Sequence, residues 1–230
     1  MTKIKNKVLV LAPHPDDEVL GCGGTIHKHV KNGADVFVAI LTNASKTDPI
    51  KYTKEKLLNV RSEAQAASRF MGVKEVFFED FPAPALDQFP IYKVADAISK
   101  IIKLVEADTI YIPFRGDIHN DHKVIFDAAM VASRPVGNYT VRTIYAYETL
   151  SETEWAFPFV SEHFMPTVYE ILDLESFNAK LMAMKFYKSQ LRNFPNSRSI
   201  ESLEALAKFR GSTVGAERAE AFMLIRNIIK

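Results

Sequence analysis

The sequence has a single cysteine, Cys22, and almost no excess of charge, with 29 Lys and Arg residues against 28 Asp and Glu residues. One cysteine excludes a disulfide framework within the chain and a cysteine-rich zinc module. A formal net charge of +1 provides no basic field, so the sequence argues against nucleic-acid binding. The chain is also too apolar to be disordered, because 47% of its residues are hydrophobic and 11% are aromatic.

Long hydrophobic runs are missing as well. The apolar run near the start covers only Val8 to Ala12, and the acidic residues Asp16, Asp17 and Glu18 follow it closely. A signal peptide needs a longer apolar region, and a membrane span needs roughly 20 apolar residues. We therefore expect no stable membrane insertion and a cytoplasmic location, and a homo-oligomer is left open.

Short apolar runs alternate with helical patterns over the first 133 residues. Four of the runs lack alternation, which is typical of strands buried on both faces of a parallel sheet, and they cover 7–13, 35–42, 75–78 and 109–114. Helical spacing covers 19–32, 54–71, 91–105 and 121–133. This alternation predicts an α/β fold, namely a Rossmann-like doubly wound, mostly parallel sheet with helices on both faces.

The second half of the chain is predicted to complete the same single domain, which spans 1–230. Two further strands, with better alternation and a place near the sheet edge, are predicted at 141–148 and 167–172. Two helical regions are predicted at 176–190 and 202–230. The doubly wound core therefore covers about 7–150, and a loop, a strand and C-terminal helices cover 151–230.

The first motif that carries chemistry is PHPDDE at 13–18, directly after the first predicted strand. It places the imidazole of His14 close to the carboxylates of Asp16, Asp17 and Glu18, and its two prolines restrict the backbone. Zinc and similar divalent metals bind histidine nitrogen and carboxylate oxygen. The alternative is a charged turn at the end of a strand.

The second motif is DIHNDH at 117–122, directly after the fourth predicted strand. His119 and His122 are three positions apart and converge if this turn is helical. The alternative is a polar loop that caps the next helix. In a doubly wound sheet of order 3-2-1-4-5, strands 1 and 4 are neighbours, so both motifs should border one crevice at the carboxyl ends of the strands.

With these motifs the chain resembles the PIG-L/LmbE-like family of metal-dependent N-deacetylases. The signatures of that family are an (A/P)HPDDE segment and a later HxDH segment, and this chain has APHPDDEVLGCGGT at 12–25 and HNDH at 119–122. Supporting patches lie at 61–72, 185–190 and 210–222. Asn120 stands where the family often has proline, which leaves both histidines of the motif in place.

The resemblance implies a role for each motif residue. It implies that Zn²⁺, or Fe²⁺ or another divalent metal, is bound by His14, Asp17 and His122. It implies that Asp16 is the catalytic base, and that His119, oriented by Asp121, stabilises an oxyanion as an imidazolium. Whether Asp16 or His119 protonates the leaving amine is left open. Three protein ligands leave a coordination position for water, as in catalytic zinc sites.

The resemblance further implies an enzyme that removes the N-acetyl group from a GlcNAc-type acetamido sugar or sugar conjugate, through a metal-bound water activated by the Asp base. One alternative is an amidohydrolase with a different N-acyl substrate. Another is a non-catalytic nucleotide- or sugar-binding module with a vestigial metal site. Arg61 and Asp87 are weaker candidates for substrate contact. The alternative for Arg61 is a solvated charge on a helix, and the alternative for Asp87 is an aspartate that forms a turn.

The segment 151–166 resembles a loop but contains four aromatic residues, Trp155, Phe157, Phe159 and Phe164. If all four were exposed, they would form an unusually apolar patch. We therefore expect this segment to be a lid over the site, a subunit contact, or a cluster packed against the C-terminal helices of the chain.

Overall fold

The computed structural model describes residues 6–157 and 163–229, and it contains a seven-stranded sheet with helices on both faces. The strands are β1 (Lys7–Ala12), β2 (Asp35–Asn43), β3 (Glu75–Pro82), β4 (Thr109–Pro113), β5 (Thr143–Tyr147), β6 (Val168–Ile171) and β7 (Ala219–Asn227). The helices are α1 (Asp17–Lys31), α2 (Lys54–Met71), α3 (Ile91–Val105), α4 (Asn120–Ala132), α5 (Leu174–Phe186) and α6 (Ile200–Ser212). Within the described part of the chain, no helix is both long and apolar enough to cross a membrane.

The sheet has the strand order β3-β2-β1-β4-β5-β7-β6, and strands β1 to β5 run parallel. The inner strand β1 explains the apolar runs without alternation. Leu9 and Leu11 belong to the core layer that includes α3 and α4, whereas Val8 and Val10 belong to the layer that includes α1, α2 and α5. The predicted doubly wound α/β fold is confirmed.

The prediction of a helix over 202–230 was wrong in its second half. Helix α6 ends at Ser212, Gly215 follows with φ = 72°, and Ala219–Asn227 forms strand β7. This strand lies antiparallel between β5 and β6, so β6 is at the sheet edge and β5 is not. Ala, Glu, Met and Leu favour helices in isolation, but pairing with two strands outweighs this local preference.

Two glycines allow α1 to lie against the sheet directly behind the first motif. A Cβ atom at Gly21 would lie 2.2 Å from Cδ2 of the buried Tyr147, and one at Gly24 would lie 2.4 Å from Cδ1 of Leu172. The hydroxyl of Tyr147 donates a 2.8 Å hydrogen bond to the carbonyl oxygen of Leu11 in β1. The two glycines therefore permit the close approach of α1 to Tyr147 and Leu172, and this approach positions the motif at the start of the helix.

A buried ion pair joins α5 to β7 beneath α1. Lys180 Nζ lies 2.5 Å from Glu220 Oε1, and the side chains are only 4% and 3% exposed. Lys180 also donates to the carbonyl oxygen of Leu20 at 2.8 Å. The Glu220 carboxylate accepts from the backbone N–H groups of Gly24 and Thr25 at 3.0 and 2.7 Å. Both charges are therefore hydrogen-bonded, as buried charges must be.

Candidate active site

The two sequence motifs meet at the carboxyl ends of neighbouring strands. Strand β1 pairs with β4, the first motif leads from β1 into α1, and the second motif leads from β4 into α4. Asp16 is the N-cap of α1 and His119 is the N-cap of α4. The imidazole rings of His14 and His122, more than a hundred residues apart in sequence, have centroids 5.4 Å apart.

His14, Asp17 and His122 form a compact group around one carboxylate oxygen. Oδ2 of Asp17 lies 3.3 Å from His14 Nδ1 and 3.3 Å from His122 Nε2. The ligand atoms of the three residues lie within 4.8 Å of one another. Asp17 Oδ1 and His122 Nε2 are buried without a hydrogen-bond partner among residues 6–157 and 163–229. Such orphaned polar atoms are costly, and a divalent cation between them would satisfy both.

Two further carboxylates hold the imidazoles from behind. Asp121 Oδ2 lies 3.0 Å from His14 Nε2, and Asp117 Oδ2 lies 2.7 Å from His122 Nδ1. Each carboxylate engages one ring nitrogen, so the other nitrogen of each ring is turned towards Asp17. This arrangement of carboxylate, histidine and metal position recurs in metalloproteins. Asp117 was not among the predicted site residues, although its place two positions before the HxDH segment was a usable signal.

The charges of this cluster favour an added cation. Burial alone would lower the pKa of His14, but hydrogen bonds to Asp121 and Asp17 raise it to about 9. Burial also disfavours the charged form of His122, yet the charge of Asp17 and the bond to Asp117 raise its pKa well above the usual value. Burial would raise the pKa of Asp17, but His122 and His14 hold it well below the usual range. A divalent ion supplies the positive charge that these carboxylates attract.

We expect the Asp117→Asn substitution to weaken metal binding by about 10- to 100-fold, because His122 loses the carboxylate that fixes its ring orientation and its basicity. Competition with a chromophoric chelator measures the affinity. Asp127→Asn is the matched control, since this carboxylate also belongs to the α4 region but pairs with Arg115 at the surface. Equal affinities of the two variants and the wild type would contradict a role for Asp117.

Asp16 occupies an unusual backbone conformation beside the cluster. Its φ of 108° lies in a region that non-glycine residues rarely adopt, and Glu18 Oε2 accepts a 3.2 Å hydrogen bond from its N–H group. Its residue surface is 1% exposed, and neither carboxylate oxygen has a hydrogen-bond partner in the described ranges. Burial raises the pKa of Asp16 to about 7, against the opposing effect of Arg198.

His119 contacts the backbone N–H of Asp121 and not its carboxylate, which differs from the orienting contact that the sequence predicts. Its Nδ1 accepts a 3.2 Å hydrogen bond from the backbone N–H of Asp121, whose carboxylate lies 3.9 Å from this nitrogen and bonds instead to His14. Burial and the neighbouring His14 lower the pKa of His119 to about 4. The ring is therefore neutral near pH 7, and its proton resides on Nε2 because Nδ1 acts as an acceptor.

The two weaker candidates, Arg61 and Asp87, do not line the cleft that borders the cluster. Arg61 Nη2 donates to the carbonyl oxygen of Glu79 at 2.9 Å and to Asp80 Oδ1 at 2.6 Å. Asp87 lies in a short 3₁₀ helix with an exposed side chain. Their predicted contact with substrate receives no support from this geometry, because the guanidinium of Arg61 is already bound and Asp87 faces solvent.

The cleft itself has a volume of about 1240 Å³. Its floor includes His14, Asp16 and His119, and its walls come from the segment after β2, the start of α2, and the connection between α5 and α6. Among the polar wall residues are Asn43, Ser45, Glu152, Ser189, Gln190 and Arg198. The sequence did not identify these six wall residues, because their spacing along the chain gives no sign that they lie next to the two motifs.

The aromatic segment is only partly covered. Trp155 and Phe157 are 55% and 68% exposed. Phe164 packs edge-on against Phe114 at 5.3 Å, and the guanidinium of Arg210 lies 5.6 Å from its ring centre. Phe159 lies outside the described residues. The predicted lid or subunit contact is therefore an open prediction, and Phe164 belongs to a cluster within the chain.

Residues 9–133 match the family model described as PIG-L: GlcNAc-PI de-N-acetylase. The chain is 30% identical over 188 residues to the uncharacterized deacetylase YaiS of Escherichia coli (strain K12), across 79% of this chain and 90% of that protein.

Among solved structures, the N,N'-diacetylchitobiose deacetylase from Pyrococcus horikoshii superimposes with a TM-score of 0.76 at 21% identity, covering 97% of this chain and 85% of that one. GalB, the 4-carboxy-2-hydroxymuconate hydratase from Pseudomonas putida KT2440, gives a TM-score of 0.74 at 19% identity and covers 98% of both chains. At these identities the structural likeness concerns the fold alone, and it includes enzymes of two reaction types.

Proposed function

We propose, from the premise that this chain belongs to the PIG-L (GlcNAc-PI de-N-acetylase) family, that it is a metal-dependent hydrolase of an N-acetylated amino sugar or sugar conjugate. Water adds to the amide carbon, the C–N bond breaks, and the products are acetate and a free amine. The observation that carries this proposal is the buried His14, Asp17 and His122 cluster, with Asp16 beside it at the floor of a cleft.

The residues that would hold the metal are His14, Asp17 and His122. The orphaned Nε2 of His122 and Oδ1 of Asp17 fit this role, and the second carboxylates behind both imidazoles support it. When bound, a divalent ion supplies Lewis acidity and lowers the pKa of a water molecule. Two imidazoles and one carboxylate suit Zn²⁺, and they also suit Fe²⁺ or another divalent metal.

Asp16 is the proposed base that accepts the proton of the attacking water. It follows the cleft-lining His14 closely and precedes the proposed ligand Asp17, so its carboxylate lies beside the metal position without being needed as a ligand. Its two oxygens keep their acceptor capacity, because no residue in the described ranges donates a hydrogen bond to them. A positioned carboxylate of this kind contributes by general base catalysis.

His119 is the proposed donor to the carbonyl oxygen of the substrate as negative charge develops there. The neutral ring carries its proton on Nε2, and the side chain lines the cleft. A neutral imidazole that is already oriented can stabilise an oxyanion by hydrogen bonding without first being protonated. We propose this neutral donor in place of the imidazolium that the sequence led us to expect, and it favours Asp16 as the carrier of the proton to the leaving amine.

The substrate is proposed to be a GlcNAc-type sugar linked to a further group. The cleft of about 1240 Å³ is larger than an acetamido group requires, and pockets for drug-sized ligands are about 300–1,000 Å³. Ser45 and Gln190 on its walls provide a hydroxyl and an amide, groups that pair with sugar hydroxyls. The printed name of the Pyrococcus horikoshii protein, a diacetylchitobiose deacetylase, agrees with this class of substrate.

The test is a screen of N-acetylated sugars, chitobiose-type disaccharides and nucleotide sugars, with release of free amine as the readout. Metal-depleted and metal-reloaded protein are compared, and His122→Ala serves as the variant that should neither retain metal nor turn over substrate. Amine release that depends on reloading supports the proposal. Activity that survives full metal removal would contradict it.

Three other outcomes identify the alternatives. Amine release from simple N-acyl compounds but from no sugar indicates a general amidohydrolase. Binding of sugars or nucleotides without turnover in reloaded protein indicates a vestigial site. Addition of water to an unsaturated acid, with no amine released, indicates a hydratase, a reaction suggested by the structural likeness to GalB.

We expect His119→Ala to lower kcat by roughly 10²-fold while changing KM much less, because an oxyanion donor acts mainly in the transition state. His119→Gln, which keeps an N–H donor, should retain part of the lost activity. Steady-state kinetics on the substrate found in the screen provides both constants. A change confined to KM would instead make His119 a residue that binds the ground-state substrate.

Two sequence-based expectations stay predictions here. The cytoplasmic location is tested by cell fractionation, and the homo-oligomer by light scattering coupled to size-exclusion chromatography.

A further inference from the structure

Arg198 lies where three segments that are distant in sequence converge at the floor of the cleft. Its side chain is 25% exposed, and its Nη1 lies 3.4 Å from Asp16 Oδ2. Its Nη2 lies 3.4 Å from Glu152 Oε1, and its Nε donates a 2.7 Å hydrogen bond to Ser151 Oγ. One guanidinium therefore spans the first motif, the segment after β5, and the connection between α5 and α6.

The backbone around Arg198 is held on both sides. Its N–H donates to Asn196 Oδ1 at 2.9 Å, and its carbonyl oxygen accepts from the Arg192 N–H at 3.1 Å. The next residue, Ser199, is fully buried, and its hydroxyl oxygen accepts from the Ser202 N–H to cap α6. These contacts distinguish Arg198 from a freely moving surface arginine, because they fix the position of the Cα atom from which the side chain extends into the cleft.

The Asp16 carboxylate needs such a partner. Its oxygens accept no hydrogen bond from any residue in the described ranges, so they do not fix the rotation of the carboxylate. Across the same ranges, Arg198 is the one cationic side chain that forms an ion pair with Asp16.

We infer that Arg198 is a positioning residue that sets the direction of the Asp16 carboxylate relative to the metal position. The inference rests on the proposed function, in which Asp16 acts as the base. Ser151 and Glu152 bind the Nε and Nη2 atoms of the guanidinium, and these contacts fix the position of the Nη1 atom that faces Asp16. Arg198 forms an ion pair with Asp16 through Nη1 and a hydrogen bond to Ser151 through Nε, and the single nitrogen of a lysine cannot hold both contacts in this rigid spacing.

The test compares Arg198→Gln and Arg198→Lys with the wild type in metal-loaded protein. We expect Arg198→Gln to lower kcat by about 10²-fold with KM changed much less, which is the cost of misplacing a catalytic group by about 1 Å. Arg198→Lys should recover part of kcat, because it keeps the charge without the fork. Metal content should equal that of the wild type in both variants.

Lys188→Gln is the matched control from the same connection, because its side chain is exposed and is not among the residues that line the cleft. A kcat for this control as low as that of Arg198→Gln would overturn the inference. Loss of metal from Arg198→Gln, or a change confined to KM, would overturn it as well. Loss of metal would indicate a structural role for Arg198, and a change confined to KM would indicate a role in substrate binding.

A measurement without turnover separates this inference from the proposed function. In metal-free protein, Arg198→Gln should lower Tm by about 2–4 °C more in the wild-type background than in the Asp16→Asn background, because only the former contains the paired carboxylate. Equal Tm shifts in the two backgrounds would overturn the contact itself. A wild-type protein without deacetylase activity but with unequal Tm shifts would contradict the proposed function and leave the Arg198–Asp16 pairing supported.

Discussion

The Asp16→Asn protein is expected to fold, to bind metal like the wild type, and to lose about 10²- to 10⁴-fold in kcat, the range that general base catalysis contributes. Asparagine has nearly the same shape, and it tolerates positive φ values better than most residues, so the backbone at φ = 108° is preserved. What the amide lacks is the ability to accept a proton from water. Steady-state kinetics and metal analysis on the same sample test both halves of this expectation.

The neighbouring position provides the contrast. Asp17→Asn alters the oxygen that lies 3.3 Å from both imidazoles, so this variant should lose metal and activity together. Asp16→Asn should lose activity alone. Near-normal turnover of metal-loaded Asp16→Asn would refute the assignment of the base, and loss of metal from it would make Asp16 a ligand.

The second large effect concerns stability. Lys180→Met should lower the free energy of unfolding by about 3–5 kcal/mol, because it removes one partner of a buried ion pair and leaves the other charge uncompensated. The Glu220 carboxylate would then keep its two backbone donors, Gly24 and Thr25, but no cation. The measurement is equilibrium unfolding in urea, with the wild type and the Lys180→Met variant followed by the same optical signal.

Two companion variants check this reasoning. The double variant Lys180→Met/Glu220→Gln should be more stable than Lys180→Met, since it removes the buried charge while an amide oxygen can still accept from the backbone. Lys208→Met breaks an exposed pair with Glu204 on α6 and should cost only about 0–1 kcal/mol. A loss for Lys180→Met no larger than that of Lys208→Met would show that the buried pair is not a source of stability.

The sequence was sufficient to predict that the two motifs meet at one edge of the sheet. PHPDDE and DIHNDH follow apolar runs directly, and the carboxyl ends of neighbouring parallel strands share one edge of the sheet, so local pattern and topology agree. The same reasoning could not reach Arg198. It lies in an irregular connection whose path depends on how α5 and α6 pack, and no periodicity links it to the site.

The protonation state of His119 could not be predicted from the sequence, for a different reason. Its pKa depends on burial and on the proximity of His14, which are properties of the folded site. The contact of Asp121 was likewise ambiguous, because a carboxylate two positions from His119 could also reach another histidine. In the fold it reaches His14, and the backbone N–H of Asp121 is what fixes the tautomer of His119.

Strand β7 also has a consequence for how the protein is made. Because β7 is inserted between β5 and β6, the growing polypeptide on a ribosome emits β5 with one bare edge long before its neighbour exists. Lys180 likewise emerges 40 residues ahead of the glutamate that neutralises it. The nascent chain therefore presents an open β5 edge until β7 has been translated. Such an edge invites pairing with other chains, so we expect the nascent chain to be most prone to aggregation before β7 pairs with β5.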